Sequence, residues 1–291
     1  MKELTGKSIV VTGAGGGLGA AYAQHAALLG ASVVVNDVDR DAANACAKAI
    51  TDAGGQAIAH PADVSNWDAG VALVDACVDA FGALDGFVNN AGILRPALLE
   101  HTTEADIRHM IDVNLIGTTS CARAAALQMK AQGTGGSIIN VASGSQAGDI
   151  ALGGYGATKA AISSLTFSWA MELRDTGIRM NAISPLAETA MAAQNAHLMA
   201  LQGANRDVHY DALPAAEVNA PLVSFLLSDG ARDITGQIVR IAGRQLSFVT
   251  HPLIAQPVLE DDWTFDKIAN AFSDRLAGCQ QKLGLAFAPK K

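Results

Sequence analysis

Short apolar, β-branched runs alternate along the chain with longer Ala-rich stretches of helical period. SIVVT at Ser8–Thr12 reads as a strand, and Gly17–Leu29 as a helix closed by Gly30, a natural C-cap. SVVVN at Ser32–Asn36 is a second strand, Asp39–Ala53 a helix ending at Gly54–Gly55, and QAIAH at Gln56–His60 a third strand. Trp67–Phe81 follows as a helix, GFVNN as the fourth strand, and Glu104–Ala131 as one long helix. SIINVA at Ser137–Ala142, a helix over about Tyr155–Arg174, RMNAI at Arg179–Ile183 and QIVRI at Gln237–Ile241 complete the pattern. Strands that are apolar throughout belong in a sheet covered on both faces. Strand–helix repetition with right-handed crossovers makes that sheet parallel. The pattern predicts a doubly wound α/β domain over residues 1–244, with seven parallel strands and a ligand crevice at their carboxyl ends.

Two regions break the repeat. Residues 185–214, rich in Ala, Met, Gln and Asn, read as a helical lid over a pocket. Residues 245–291 form a C-terminal extension with an aromatic-bearing helix at about Glu260–Ala277, expected at a subunit interface. The total of 291 residues suits one large α/β domain with an appendage. A chain that is 50% hydrophobic and 16% charged is not disordered. The formal net charge of −8 excludes nucleic acid as the main partner, since phosphate binding needs clustered Lys and Arg. No apolar run reaches the ~18 residues of a membrane helix, and the N-terminus shows no signal-peptide pattern. Cys46, Cys77, Cys121 and Cys279 form no CxxC pair, so reduced thiols and a cytoplasmic location are expected. No metal site is expected: His101 with His109, and His197 with His209, lack ligand spacing.

The first strand runs into TGAGGGLG, Thr12–Gly19. Gly13 permits the turn out of the strand, Gly17 lets backbone approach a pyrophosphate, and Gly19 packs the helix close to the sheet. The helix N-terminus then offers free N–H groups and partial positive charge to phosphates. A strand before and a helix after make this more than a glycine-rich turn. Asp37 ends the second strand, 24 residues past Gly13, where a carboxylate accepts hydrogen bonds from an adenosine ribose. It would repel a 2′-phosphate, so NAD is favoured over NADP, although Arg40 stands close. The alternative role for Asp37 is a helix N-cap, which Asp39 can fill instead.

In YGATK, Tyr155 and Lys159 stand four apart, on one helix face. An ammonium beside a phenol favours phenolate, so Lys159 is expected to lower the pKa of Tyr155 and fit it for proton transfer. Ser143, directly after the fifth strand, can hydrogen-bond a substrate oxygen. The bland reading is a strand-end turn residue, and Ser145 could equally fill that turn. Asn114 lies within a predicted helix, where Asn is a poor former. Its side chain or its carbonyl could hold a water relaying protons to Lys159.

TGAGGGLG, NNAG at Asn89–Gly92, Asn114, Ser143 and YGATK together resemble the short-chain dehydrogenase/reductase family, over about Lys2–Gly243. The resemblance implies a Rossmann fold, hydride transfer with a nicotinamide cofactor and an Asn–Ser–Tyr–Lys tetrad. It adds Leu18 to the phosphate loop and sets Asp63 and Val64 beside the adenine. It puts Asn90, Gly92, Tyr155 and Lys159 at cofactor riboses, with Pro185 and Thr189 near the nicotinamide. It also implies a homodimer or homotetramer, with the two long Ala-rich helices pairing subunits. Two departures stand out: the Ser143–Tyr155 gap is one residue short, and Pro185–Leu186 replaces the usual Pro-Gly.

VVVND, NNAGILR and the tail beginning HPLI are also similar to the hydroxyacyl-CoA dehydrogenase branch of β-oxidation enzymes. The expected function is an NAD-dependent oxidoreductase for a secondary alcohol or ketone on an apolar substrate, such as a steroid or aryl alcohol. Leu186, Met191, Leu198, Met199 and Leu201 of the lid suit such a body. The alternatives are a 3-hydroxyacyl-CoA dehydrogenase, with Arg95, Arg206, Arg244 or Lys267 at the pocket mouth, and a non-catalytic NAD-binding regulator.

Overall fold

The computed structural model describes residues 2–188, 191, 193, 213–280 and 284–285. Thr189, Leu198, Met199, Leu201, Arg206, His197 and His209, and most of the expected lid, lie outside the described residues. The strands are β1 (Ser8–Val11), β2 (Ser32–Val35), β3 (Gln56–Ala59), β4 (Gly86–Asn89), β5 (Gly136–Val141), β6 (Ile178–Leu186), β7 (Ile238–Ala242) and β8 (Gln245–Val249). The α-helices are α1 (Gly17–Leu28), α2 (Arg40–Asp52), α3 (Ala69–Phe81), α4 (Glu104–Met110), α5 (Gly117–Gln132), α6 (Gly153–Glu172), α7 (Ala220–Leu227) and α8 (Phe265–Ala271).

The sheet runs β3-β2-β1-β4-β5-β6-β7-β8. β1 leads to β2 and β3 on one side, and the chain then crosses to β4 on the other. The carboxyl ends therefore part between β1 and β4, where a doubly wound sheet opens its crevice. Alternate strand residues serve opposite layers. Ile9, Val11, Val33, Val35, Val88 and Ile139 pack with α1, α2 and α7, whereas Val10, Val34, Phe87, Ile138 and Met180 pack with α3, α5 and α6. Across the second layer, Asn89 Nδ2 donates to Asn140 Oδ1 at 2.9 Å and Asn140 Nδ2 to Thr166 Oγ1 at 2.9 Å. These bonds satisfy two asparagines that the sheet buries beneath the site.

Three expectations need correction. The sheet has eight strands, because residues 245–249 fold back as β8, antiparallel to β7. Ala242 pairs with Gln245 across the two-residue turn Gly243–Arg244, and Gly243 takes a φ of +57° that a tight hairpin favours. The hairpin thus straddles the expected end of the domain at residue 244. The helix expected over 104–131 is present but not regular: a π-turn, Ile111–Ile116, lies within it between α4 and α5. One extra residue per turn widens the backbone there, which hydrophobic periodicity alone does not reveal. Finally, Pro185 and Leu186, expected to open the lid, are sheet residues pairing with Ile241 and Ala242.

Candidate active site

The glycine loop joins β1 to α1 at the crevice. Gly13 has φ +60°, and a Cβ on it would stand 2.8 Å from the Ala91 Cα. Thr12 Oγ1 accepts from the N–H groups of Asn90 and Ala91 at 3.1 and 3.0 Å. Asn90 Nδ2 returns two bonds, to the carbonyls of Thr12 (3.0 Å) and Gly13 (2.9 Å). Asn90 thus clamps the ends of β1 and β4 together. Gly19 lies under the same clamp, where a Cβ would collide with the Gly13 carbonyl and Asn90 Nδ2. Helix α1 starts with Gly16 as its N-cap, no side chain capping it and no acidic residue in its first turn. Its first-turn N–H groups therefore face the crevice without a competing carboxylate. Leu18 points the other way, partly buried against the core.

Asp37 is anchored at this loop. Its Oδ2 accepts from Gly15 N at 2.9 Å and its Oδ1 from Asp39 N at 3.0 Å. A Cβ on Gly15 would lie 2.9 Å from Asp37 Oδ2, so the approach requires glycine. Asp39 caps α2, accepting from Asp41 N (2.9 Å) and Ala42 N (3.1 Å). The capping role is thereby taken, and the free lone pairs of Asp37 remain for a ligand. Asp63 is exposed just past β3, while Val64 is buried against Gly117 at the start of α5.

The other half of the site forms where β5 meets α6. Ser143 follows β5 and caps a short 3-10 turn, accepting from Ser145 N at 3.2 Å and from Ser145 Oγ at 2.9 Å. Its hydroxyl also lies beside the Tyr155 phenol, where it favours the phenolate form. Lys159 is buried, donates from Nζ to the Val141 carbonyl at 2.7 Å, and stands 5.5 Å from the Tyr155 ring centre. Gly92 sits against this ammonium: a Cβ there would be 3.6 Å from Lys159 Nζ and 3.3 Å from Asn114 Oδ1. Asn114 is fully buried in the π-turn. Its Oδ1 accepts from Ile93 N at 2.7 Å, and its Nδ2 donates to Ile93 O at 3.0 Å and Thr158 Oγ1 at 3.1 Å. The amide is committed to the fold, so of the two groups proposed for water binding the main-chain carbonyl is the one left to consider.

The electrostatic balance reverses one expectation. Burial pushes the Tyr155 phenol up to about 12, opposed only in part by Ser143. Burial also brings Lys159 down to about 8. The loss of water around both groups outweighs the ammonium's attraction for phenolate.

The structure thus brings Asn114, Ser143, Tyr155, Lys159 and Gly92 together beside the glycine loop with Asn90 and Asp37. Pro185 stands on β6, the strand next to β5. Sequence reasoning did not assign Thr12, Ile93, Ser145 or Thr158, which hold these residues in place. Thr158 lies inside YGATK and Ser145 two residues past Ser143, so local spacing was the available signal. Among the described residues, no group of three His, Cys, Asp or Glu side chains converges for a metal.

Comparison with known proteins accords with this geometry. A family model described as short chain dehydrogenase matches residues 7–199. The chain is 38% identical over 238 residues to a cis-4-hydroxycyclohexanecarboxylate dehydrogenase of Sinomonas cyclohexanicum, covering 80% of this chain and 94% of that one. It is 35% identical over 294 residues to the hydroxyacyl-CoA dehydrogenase ChsB1 of Mycobacterium tuberculosis, covering 95% and 90%. It is 36% identical over 245 residues to 3beta-hydroxysteroid dehydrogenase 1 of Eggerthella lenta, covering 83% and 94%. A crystal structure of a short chain dehydrogenase from Mycobacterium avium superposes with a TM-score of 0.84 at 33% identity, covering 97% of this chain and 98% of that one. Fold and relatives define a Rossmann-type oxidoreductase that links an alcohol or ketone to a nicotinamide cofactor. The chain belongs to the short-chain dehydrogenase family.

Proposed function

We propose that the protein is an NAD-dependent dehydrogenase or ketoreductase acting on a secondary alcohol or ketone of an apolar substrate. The observation that carries this reading is the convergence of Ser143, Tyr155 and buried Lys159 beside the glycine loop. The residues present fit a dinucleotide. The loop has positions that a Cβ would fill, the α1 N-terminus is uncapped, and the Asp37 carboxylate stands alongside. Gly13, Gly17, Leu18, Gly19 and Asn90 would hold the pyrophosphate side. Asp37 would take the adenosine ribose hydroxyls, which favours NAD over NADP. Asp63 and Val64 would border the adenine, and Gly92, Tyr155, Lys159, Pro185 and Thr189 the nicotinamide side. When bound, the nicotinamide supplies the hydride acceptor or donor.

The chain's own residues move the proton. In oxidation, Tyr155 Oη takes the proton of the substrate hydroxyl; in reduction it returns one to the carbonyl oxygen. Ser143 hydrogen-bonds that same oxygen and steadies its developing charge. Lys159 would grip the cofactor's ribose and pass protons onward. The main-chain carbonyl of Asn114 holds the relay water.

The relatives' names support ring-bearing alcohols as substrates, since two of them act on a hydroxysteroid and a hydroxycyclohexane. A 3-hydroxyacyl-CoA substrate is the second reading, favoured because the relative of that name matches 95% of the chain, its C-terminal extension included. A dimer or tetramer also fits the surface: Leu127 on α5 and Met171 on α6 are 52% and 68% exposed. The test is Tyr155→Phe, assayed with NAD and a panel of hydroxysteroid, hydroxycyclohexane and 3-hydroxyacyl-CoA substrates. Turnover should fall about 10²- to 10⁴-fold while NADH still binds. Unchanged turnover would overturn the assignment.

A further inference from the structure

We propose that Arg240 is a substrate-binding residue of this site and selects a substrate whose apolar body carries a carboxylate on the same ring or short chain as the carbinol carbon. The inference rests on the dehydrogenase reading above and names its substrate class.

Arg240 lies on β7, in register with Ser184 on β6 and Ser247 on β8. That register puts it on the sheet face covered by α6, two residues beyond Ile238, which packs with Ala182 and Phe167. From there its guanidinium reaches the loop after β5: a Cβ on Gly144 would lie 3.3 Å from Arg240 Nη1. Gly144 directly follows Ser143, which stands beside Tyr155. The cation therefore lies against the loop residue next in the chain to the one that would hold the reacting oxygen.

Arg240 is half-buried, yet among the described residues it makes no hydrogen bond or ion pair. Other half-buried arginines differ. Arg179 donates to the carbonyls of Leu226 (2.8 Å) and Ser228 (3.1 Å), and Arg95 donates to Leu94 O at 3.0 Å and has Asp106 at 3.9 Å. A guanidinium has five donors and no acceptor, and leaving them partly dehydrated without partners is costly. A second unmet group stands beside it. Ser184 is fully buried, and its Oγ has no hydrogen-bond partner. Two adjacent unsatisfied polar groups at the carboxyl end of the sheet point to an acceptor that belongs there.

A carboxylate meets the geometry, because its two oxygens match the guanidinium fork. A carboxylate on the same ring or short chain as the reacting carbon would bridge from Arg240 to an oxygen held by Ser143. An apolar side chain stands beside it: Leu285 of the extension packs on the same glycine, with its Cδ2 3.0 Å from a Gly144 Cβ position. Any side chain at 144 would crowd both neighbours. A chain of net charge −8 repels anions at long range, so an anionic substrate needs such a local cation.

The experiment uses the full chain with NAD and two probes of one shape, 4-hydroxycyclohexanecarboxylate and its methyl ester. Wild-type protein should prefer the acid, in kcat/KM and in binding to the NADH complex. Arg240→Gln should lower the acid-to-ester ratio of kcat/KM about 10- to 100-fold, mainly through KM, and Arg240→Lys should restore part of it. Thermal midpoints of both variants report folding. An unchanged ratio in Arg240→Gln, or a wild type that binds the acid no better than the ester, overturns the proposal. Acid binding that Arg240→Gln removes, in a wild type that oxidises neither probe nor any hydroxysteroid or 3-hydroxyacyl-CoA of the panel, leaves the anion site standing and overturns the dehydrogenase reading instead.

Discussion

Lys159 is held 5.5 Å from the centre of the Tyr155 ring by its bond to the Val141 carbonyl, the last residue of β5. Ser143, two residues further, stands beside the phenol and favours phenolate. One strand end therefore positions both partners of the proton-transferring group. Because burial holds Tyr155 near 12, the phenol form dominates at neutral pH. Oxidation needs phenolate and reduction needs phenol. We expect kcat/KM for alcohol oxidation to rise through the alkaline range and that for ketone reduction to fall over the same range. Parallel profiles in the two directions would remove Tyr155 from the proton step.

The same pair shapes stability. Lys159 has a folded-state pKa of about 8 against an ordinary 10.5. Between those values the unfolded chain holds the proton and the folded chain does not, so this residue's contribution rises with pH across that window. Cys77 and Cys121, pushed up to about 12 from 9.0, act in the opposite sense above pH 9. Only the difference from a variant isolates the lysine. Lys159→Met should be the more stable protein at pH 7, with its advantage shrinking toward pH 10. Thermal midpoints at both pH values measure this, and a difference that does not change with pH refutes it.

Asn114 tests the π-turn. Its amide satisfies both the N–H and the carbonyl of Ile93 in a fully buried setting. Asn114→Leu keeps the size and strands those two groups. Denaturant unfolding should show a loss of about 2–4 kcal/mol, with activity falling because Gly92, which sits against Lys159, also abuts that amide. A loss below about 1 kcal/mol would mean that Ile93 finds other partners.

Asp37 tests cofactor choice. Asp37→Ser removes the carboxylate and its bonds to Gly15 and Asp39, leaving Asp39 to cap α2. NADH affinity should weaken about tenfold and discrimination against NADPH should relax. Fluorescence titration with each reduced cofactor gives both numbers. An NADH/NADPH ratio equal to that of wild type would show that selection lies elsewhere.

The sheet was legible because β1, β2 and β4 are apolar on both faces, a property written locally in SIVV, SVVV and GFVN. The glycine loop, Tyr155 and Lys159 were legible because their chemistry is set by spacing along one loop and one helix. The π-turn was hidden because Val113, Leu115 and Ile116 continue a helical pattern. The raised pKa of Tyr155 was hidden because burial depends on every element packed around it. Arg240 was hidden for a related reason: in QIVRI it reads as one polar residue in a strand, and its nearness to Gly144 exists only across β6. The eighth strand escaped because QLSFV buries little of itself.

That strand supplies the last prediction. Leu246 and Phe248 face outward, 65% and 61% exposed, so the outer face of β8 contributes little to the core. Val249, in contrast, pairs with Ile238 and packs on the cluster of Ala142, Ala182, Ile238 and Phe167 under the site. The strand also satisfies the outer edge of β7, which carries Arg240, by a five-residue antiparallel ladder. Losing that ladder would expose the β7 edge and loosen the residue that approaches Gly144. A chain ending at Thr250 should keep its thermal midpoint within about 3 °C, roughly 1 kcal/mol for a domain of this size. A chain ending at Arg244 should drop by about 6–12 °C, the equivalent of roughly 3 kcal/mol. Equal midpoints for the two truncations would mean that β8 is an ornament of the extension. A drop confined to the shorter chain makes it a working strand of the domain, joined to the active site through β7.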